Sequence, residues 1–152
     1  MRIFLGLALV LAACTPQLVE RTATSADDVP ERRALFPGAP TTLNESFRAA
    51  CNDPGDTYAR PVQSVRQCRS LPTPDLAAYL LLEFDGALEV PLIIIQTEER
   101  PATDGVEVAF SYYAEVPQKS GALQRVYFRD RRLDEFIDLL LVASGGSLPD
   151  GA

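Results

Sequence analysis

Leu76-Ala-Ala-Tyr-Leu-Leu-Leu-Glu-Phe84, then Asp85-Gly86, then Leu88-Glu-Val-Pro-Leu-Ile-Ile-Ile-Gln96: how these residues are read decides the fold. Two apolar runs flank a two-residue Asp-Gly, the strongest short-range signal for a β-hairpin. Thr73-Pro74-Asp75 argues the other way, because it has the form of a helix start and the Leu and Ala content that follows suits a helix. The Asp-Gly pair is given the greater weight, so Tyr79–Phe84 is read as a strand paired with the run ending at Gln96. Leu92, Ile93, Ile94 and Ile95 are apolar on both parities, as in a strand covered on both faces. Pro91 removes a ladder donor and suits an edge or a strand start.

Working outward toward the C-terminus, Ala102-Thr-Asp-Gly105 makes a turn, and the residues from Val106 to Val116 then alternate. Val106, Val108, Phe110, Tyr112 and Ala114 take one side; Glu107, Ser111, Tyr113 and Glu115 take the other. Pro117–Gly121 turns again, and Leu123–Arg129 gives a further strand. Asp130 is placed to cap a final helix over Arg131–Ala143, whose apolar face comprises Leu133, Phe136, Ile137, Leu140 and Leu141, and Gly145-Gly146 ends it. Residues 147–152 read as a frayed tail.

Toward the N-terminus, Val62–Arg69 reads as a first strand and Asn52–Asp56 as a turn. A short helix precedes them: Thr42 and Glu45 have capping-box spacing, and Leu43, Phe47, Ala50 and Cys51 share one face. Residues 14–41, rich in Thr, Ala, Ser, Pro, Asp and Glu, read as a flexible tether, with Leu35-Phe36-Pro37 as the one spot able to dock. The expected fold is α+β: an antiparallel sheet of four to five strands with an N-terminal and a C-terminal helix packed on it, all within residues 42–146.

The chain of 152 residues has no histidine, no tryptophan and a single lysine, Lys119. Without imidazole it has no Ser-His-Asp or Cys-His catalysis, no histidine metal site and no imidazole proton shuttle. A formal net charge of −7 is the opposite of a nucleic-acid footprint, so no nucleic-acid partner is expected. Neither a metal nor another cofactor is implied.

The first fourteen residues place the protein. Arg2 precedes an apolar run, Ile3–Leu11, closed by Ala12, Ala13 and Cys14. This is the make-up of a secretory signal peptide. At ~1.5 Å per residue the run covers only about half of a ~30 Å hydrocarbon core, too short for a spanning helix. Leu11-Ala12-Ala13-Cys14 also resembles the lipobox of bacterial lipoproteins. The resemblance implies removal of residues 1–13, acylation of Cys14, and a mature chain anchored in the cell envelope through lipid. Thr15, in the place where an aspartate would favour inner-membrane retention, implies the periplasmic leaflet of the outer membrane.

With Cys14 taken by lipid, Cys51 and Cys68 remain as a pair seventeen residues apart in an oxidising compartment, and a structural disulfide is expected. Candidate sites are then few. The strand reading of 76–84 puts Tyr79, Ile93, Ile95, Tyr113 and Tyr127 on one face, a possible surface for another envelope protein. Arg125, Arg129, Arg131 and Arg132 form a possible anion patch for a phosphate, a headgroup or an acidic partner. Glu83 with Asp85, Glu98 with Glu99, and Glu107 with Glu115 are the carboxylate pairs a hydrolase would need, though in an acidic exported domain such pairs are mostly solvated surface. The expected function is that of a lipid-anchored, non-catalytic envelope protein; the alternatives are a binder of a small anionic ligand, lipid or glycan, and a carboxylate-dependent hydrolase.

Overall fold

The computed structural model describes residues 29–149, so Cys14, the signal segment and the first part of the tether lie outside it. Six strands and three helices follow in the order β1 (Arg32–Phe36), α1 (Thr41–Ala50), β2 (Thr57–Val62), β3 (Val65–Ser70), α2 (Pro74–Glu83), β4 (Leu92–Ala102), β5 (Gly105–Pro117), β6 (Leu123–Tyr127) and α3 (Arg131–Ala143). The class is α+β with one antiparallel sheet, as expected, but with six strands and a third helix.

β5 is the axis. It pairs along its length with β4, from Ala102↔Gly105 to Leu92↔Glu115. Its other edge is shared end to end: β1 takes Val106–Phe110 and β6 takes Tyr113–Pro117. Beyond β4 lie β3 and then β2, giving the order β1-β5-β4-β3-β2 with β6 beside β5. The β4–β5 hairpin turns through Thr103-Asp104 into Gly105. A side chain at Gly105 would meet the Phe36 carbonyl oxygen at 1.9 Å, and its φ of +147° suits glycine alone, so this residue lets β1 close against the turn.

The segment 76–84 is a helix. Pro74 opens α2, supplying the φ a first turn needs without wasting a donor, and Asp75 lies in that turn. Asp85-Gly86 ends this helix instead of turning a hairpin: Asp85 adopts φ +48°, and the Gly86 amide donates to the Leu81 carbonyl at 2.9 Å, a Schellman closure. α3 ends the same way at Gly145-Gly146, with Gly146 N–H on Leu141 O and Gly145 N–H on Val142 O. Its start is also as read, with Asp130 Oδ1 accepting from the amides of Arg132 and Leu133. In α1 the capping box is not made: the helix begins after Pro40 with no side-chain cap.

Two boundaries move outward. Arg32–Phe36, assigned to the tether, is strand β1, and Ala34 and Phe36 sit in the core. Leu35 and Ser147 exchange both backbone hydrogen bonds at 2.8 Å and Leu148 packs on the core, so residues 147–149 are held and not frayed. β2, which composition did not reveal, is an edge strand carrying Pro61, the place where a sheet tolerates proline.

All three helices pack on one face of the sheet. α1 and α3 cover Ala34, Phe36, Cys68, Val108, Phe110 and Tyr112 with Leu43, Phe47, Ile137 and Leu141. α2 covers Ala114 and Val116 with Leu80, beside Ile93 and Val126. Burying a large aliphatic or aromatic side chain contributes about 1.5–3 kcal/mol, so this face supplies most of the hydrophobic stabilisation. Among the described residues no helix is long and apolar enough to cross a membrane.

Candidate functional site

The register of β4 against β5 settles the proposed partner surface. Ile94 lies opposite Tyr113, and Tyr113 opposite Tyr127, so these three share the face that bears no described helix. Ile93 and Ile95, one residue either side, must point to the helix-covered face, where both pack against core residues. Tyr79 belongs to α2 and packs against Phe84 over the same covered face. The five residues therefore do not form one surface. Treating 76–84 as a strand misplaced Tyr79, and aligning β4 with β5 one residue out of register placed Ile93 and Ile95 with Tyr113.

What this face carries is a polar lattice, and its centre is buried: Ile94, Tyr113, Gln67 and Ser111 are each 5% exposed or less. Gln67 Nε2 donates to Gln96 Oε1 at 2.8 Å, and the Tyr113 hydroxyl donates to the same oxygen at 3.1 Å. Arg69 donates to Gln67 Oε1 at 2.9 Å. The Arg125 guanidinium lies 5.1 Å from the Tyr113 ring centroid, and the Tyr127 ring is 5.1 Å away on the neighbouring strand. Burial pushes the Tyr113 phenol up to about 12, against the smaller opposing effect of Arg125. Gln67 and Gln96 gave no signal as functional residues; only the cross-strand register reveals that their amides meet.

At the end of this face Glu115, Gln118, Gln124, Arg125 and Tyr127 line an open depression of about 590 Å³. At the opposite end Arg100 holds Glu31 through two hydrogen bonds at 2.8 and 2.9 Å and Glu98 at 2.8 Å. Burial raises the Glu31 carboxyl, but hydrogen bonds and charge from Arg100 and Arg33 outweigh it and hold the group below the usual carboxylate range.

The arginine patch is dispersed and matched. Arg125 lies 3.4 Å from Glu115 on the sheet, Arg129 is 3.2 Å from Asp134, and Arg131 is 2.8 Å from Glu135 on α3. Of the four, only Arg132 has no ion pair among the described residues. The Asp134 carboxylate also accepts from the Tyr112 hydroxyl at 2.9 Å, and that hydroxyl accepts from the Asp130 amide at 2.7 Å. These contacts tie β5 to the N-terminus of α3, so the charge here fixes structure.

The carboxylate pairs are likewise separated. Glu98 and Glu99 point to opposite faces: Glu98 to Arg100, Glu99 to Arg66 at 2.7 Å and the Asn44 amide at 2.9 Å. Asp85 pairs with Lys119, and Glu83 is exposed. Glu107 stands 3.9 Å from Arg100, while Glu115 stands beside Arg125. Asn52–Asp56 is a turn, closed by the Asp56 amide on the Asp53 carbonyl at 2.9 Å.

Cys51 and Cys68 form the expected disulfide, with Cα atoms 5.6 Å apart. It bonds the C-terminal end of α1 to β3 beneath it. Asp56 approaches both sulfurs, but with the sulfurs bonded to each other this trio offers no thiolate for a metal. No protein-family model, curated protein or solved structure matches the chain.

Proposed function

We propose that this is a lipid-anchored cell-envelope protein that binds and does not catalyse, its folded body held outside the cytosol by a foot at Cys14. The observation that carries the reading is Leu11-Ala12-Ala13-Cys14 at the end of the apolar run Ile3–Leu11. Several acyl chains on one residue, each buried methylene contributing about 0.8 kcal/mol, give stable attachment without a spanning helix. Two further features support it. The Cys51–Cys68 disulfide suits an oxidising compartment. The carboxylates a histidine-free hydrolase would depend on are bound to arginine or lysine or lie in the open.

The binding surface in this proposal is the β5–β6 end of the sheet, where Tyr127, Arg125 and two glutamines border the open depression. Aromatic, arginine and amide side chains together favour a partner protein of the envelope. The anchor is tested by fractionating cells that make the chain with Cys14→Ser. Wild type is expected in membranes and the variant in soluble fractions; identical distributions would remove the anchor from the account. A photo-crosslinker at Tyr127 tests the surface, with an adduct larger than the monomer as the expected result.

A further inference from the structure

α3 carries more apolar surface than the sheet receives. Ile137 and Leu141 are fully buried, while Phe136 on the same helix remains 62% exposed. Beside it, between α1 and α3, lies a cleft of about 130 Å³. Ile95 and Phe110 of the sheet, Phe47 of α1, Leu140 of α3 and both cysteines of the disulfide contribute to its lining.

Two features distinguish this cleft from loose packing. Protein interiors rarely keep voids much larger than a water molecule, because neighbouring side chains relax into them. Here α1 contributes, besides Phe47, the small residues Ser46 and Ala50, four apart on one helical face, while Phe136 at the rim remains largely exposed. The Cys51–Cys68 bond then fixes the end of α1 to β3, so the helix is not free to close onto α3. The space is therefore preformed, as ligand sites commonly are.

We propose that the α1–α3 cleft is a binding site for a small neutral apolar molecule with a body of about six or seven carbons and at most one hydroxyl, of the phenol or short-alkanol class. Volume sets the size: a closed apolar cavity of about 150 Å³ takes a benzene-sized guest, and this cleft, open beside Phe136, offers about 130 Å³. The lining sets the polarity. Among the described residues no charged side chain borders the cleft, so an ionised ligand would lose its hydration without a counter-charge. Ser46, half-buried, supplies the one side-chain hydroxyl with which a ligand hydroxyl can exchange a hydrogen bond. This inference goes beyond the anchoring and docking proposed above and does not depend on either.

The test titrates the purified full chain with phenol, 1-hexanol and sodium benzoate while following the methyl resonances of Ile95 and Leu140. Saturable shifts with a Kd of about 1 mM are expected for phenol, 1-hexanol or both, a ring or a chain being assigned by which one binds. Benzoate is expected to bind at least tenfold more weakly. Ala50→Leu fills the cleft from an exposed helix position and should weaken the neutral probe at least tenfold with the amide spectrum otherwise retained. Ser46→Leu gives the same reading from one turn earlier if Ala50→Leu disturbs the fold. No saturable shift with either neutral probe, equal affinity for benzoate, or unchanged affinity in the filled variant would each overturn the proposal.

Discussion

The two faces of this one sheet are held by different chemistry. Under the helices, Leu43, Phe47, Val108, Phe110, Ile137 and Leu141 interdigitate, and the forces are dispersion and the removal of apolar surface from water. On the other face Arg100, Glu31, Glu98, Gln67, Gln96, Tyr113 and Arg125 hold one another by hydrogen bonds and charge. Alternation along β5 makes both possible, because successive side chains point to opposite faces of the sheet. The covered face fixes the fold. The polar face contributes less per contact, and through Tyr113, Glu31 and the Arg100 ion pairs it responds to pH and salt.

The largest break in this contrast comes from Phe110, 2% exposed and edge-on to Phe47 at 5.8 Å. Phe110→Ala is expected to cost about 3–5 kcal/mol in chemical denaturation. Next, Cys51→Ser with Cys68→Ser frees the end of α1. A loss of about 2–4 kcal/mol is expected, with amide-exchange protection falling first in α1. On the polar face Arg100→Met should cost only about 1 kcal/mol, and that difference should shrink in high salt. A loss equal to that of Phe110→Ala would erase the distinction between the faces.

The pH response sharpens it further. Tyr113 has a folded-state pKa raised to about 12, so the protonated phenol is favoured in the folded protein. Its contribution is intact below the unfolded value of about 10 and is lost as pH rises from there toward 12. Glu31 works with the opposite sign: its folded-state pKa is depressed, so its contribution is present above the unfolded carboxylate value and lost as pH falls through the folded one. Urea midpoints across pH should show both flanks in wild type, with the alkaline flank reduced in Tyr113→Phe. The smallest effect is on the covered face, where the buried Thr97 hydroxyl has no hydrogen-bond partner among the described residues. Thr97→Val should be neutral or stabilising by up to about 1 kcal/mol in the same assay.

How much of this was legible in the residues depended on how many structures one pattern permits. α3 was readable to its ends, since Asp130, the apolar face and Gly145-Gly146 all agree. Asp85-Gly86 was not, because the left-handed conformation it adopts serves a hairpin turn and a Schellman cap equally. Pro74 and the unbroken Leu80-Leu81-Leu82, which lacks strand alternation, favoured the helix. β1 was hidden because five residues in tether-like sequence become a strand only by pairing with β5. The disulfide followed from cysteine spacing and compartment. The proposed Tyr–Ile surface failed because face assignment needs register, which no local pattern supplies. The α1–α3 cleft did leave a trace: the apolar face of α3 was wider than one contact requires.

One measurement addresses the central claim, that a foot at Cys14 holds an oxidised, disulfide-pinned domain outside the cytosol: the intact mass of the protein taken from cell membranes, with and without thiol alkylation under non-reducing conditions. The account predicts a chain starting at Cys14, heavier than its residues by attached acyl groups, with Cys51 and Cys68 both refusing the label. A mass equal to the whole 152-residue chain, no added lipid, and two labelled thiols beyond Cys14 would contradict it.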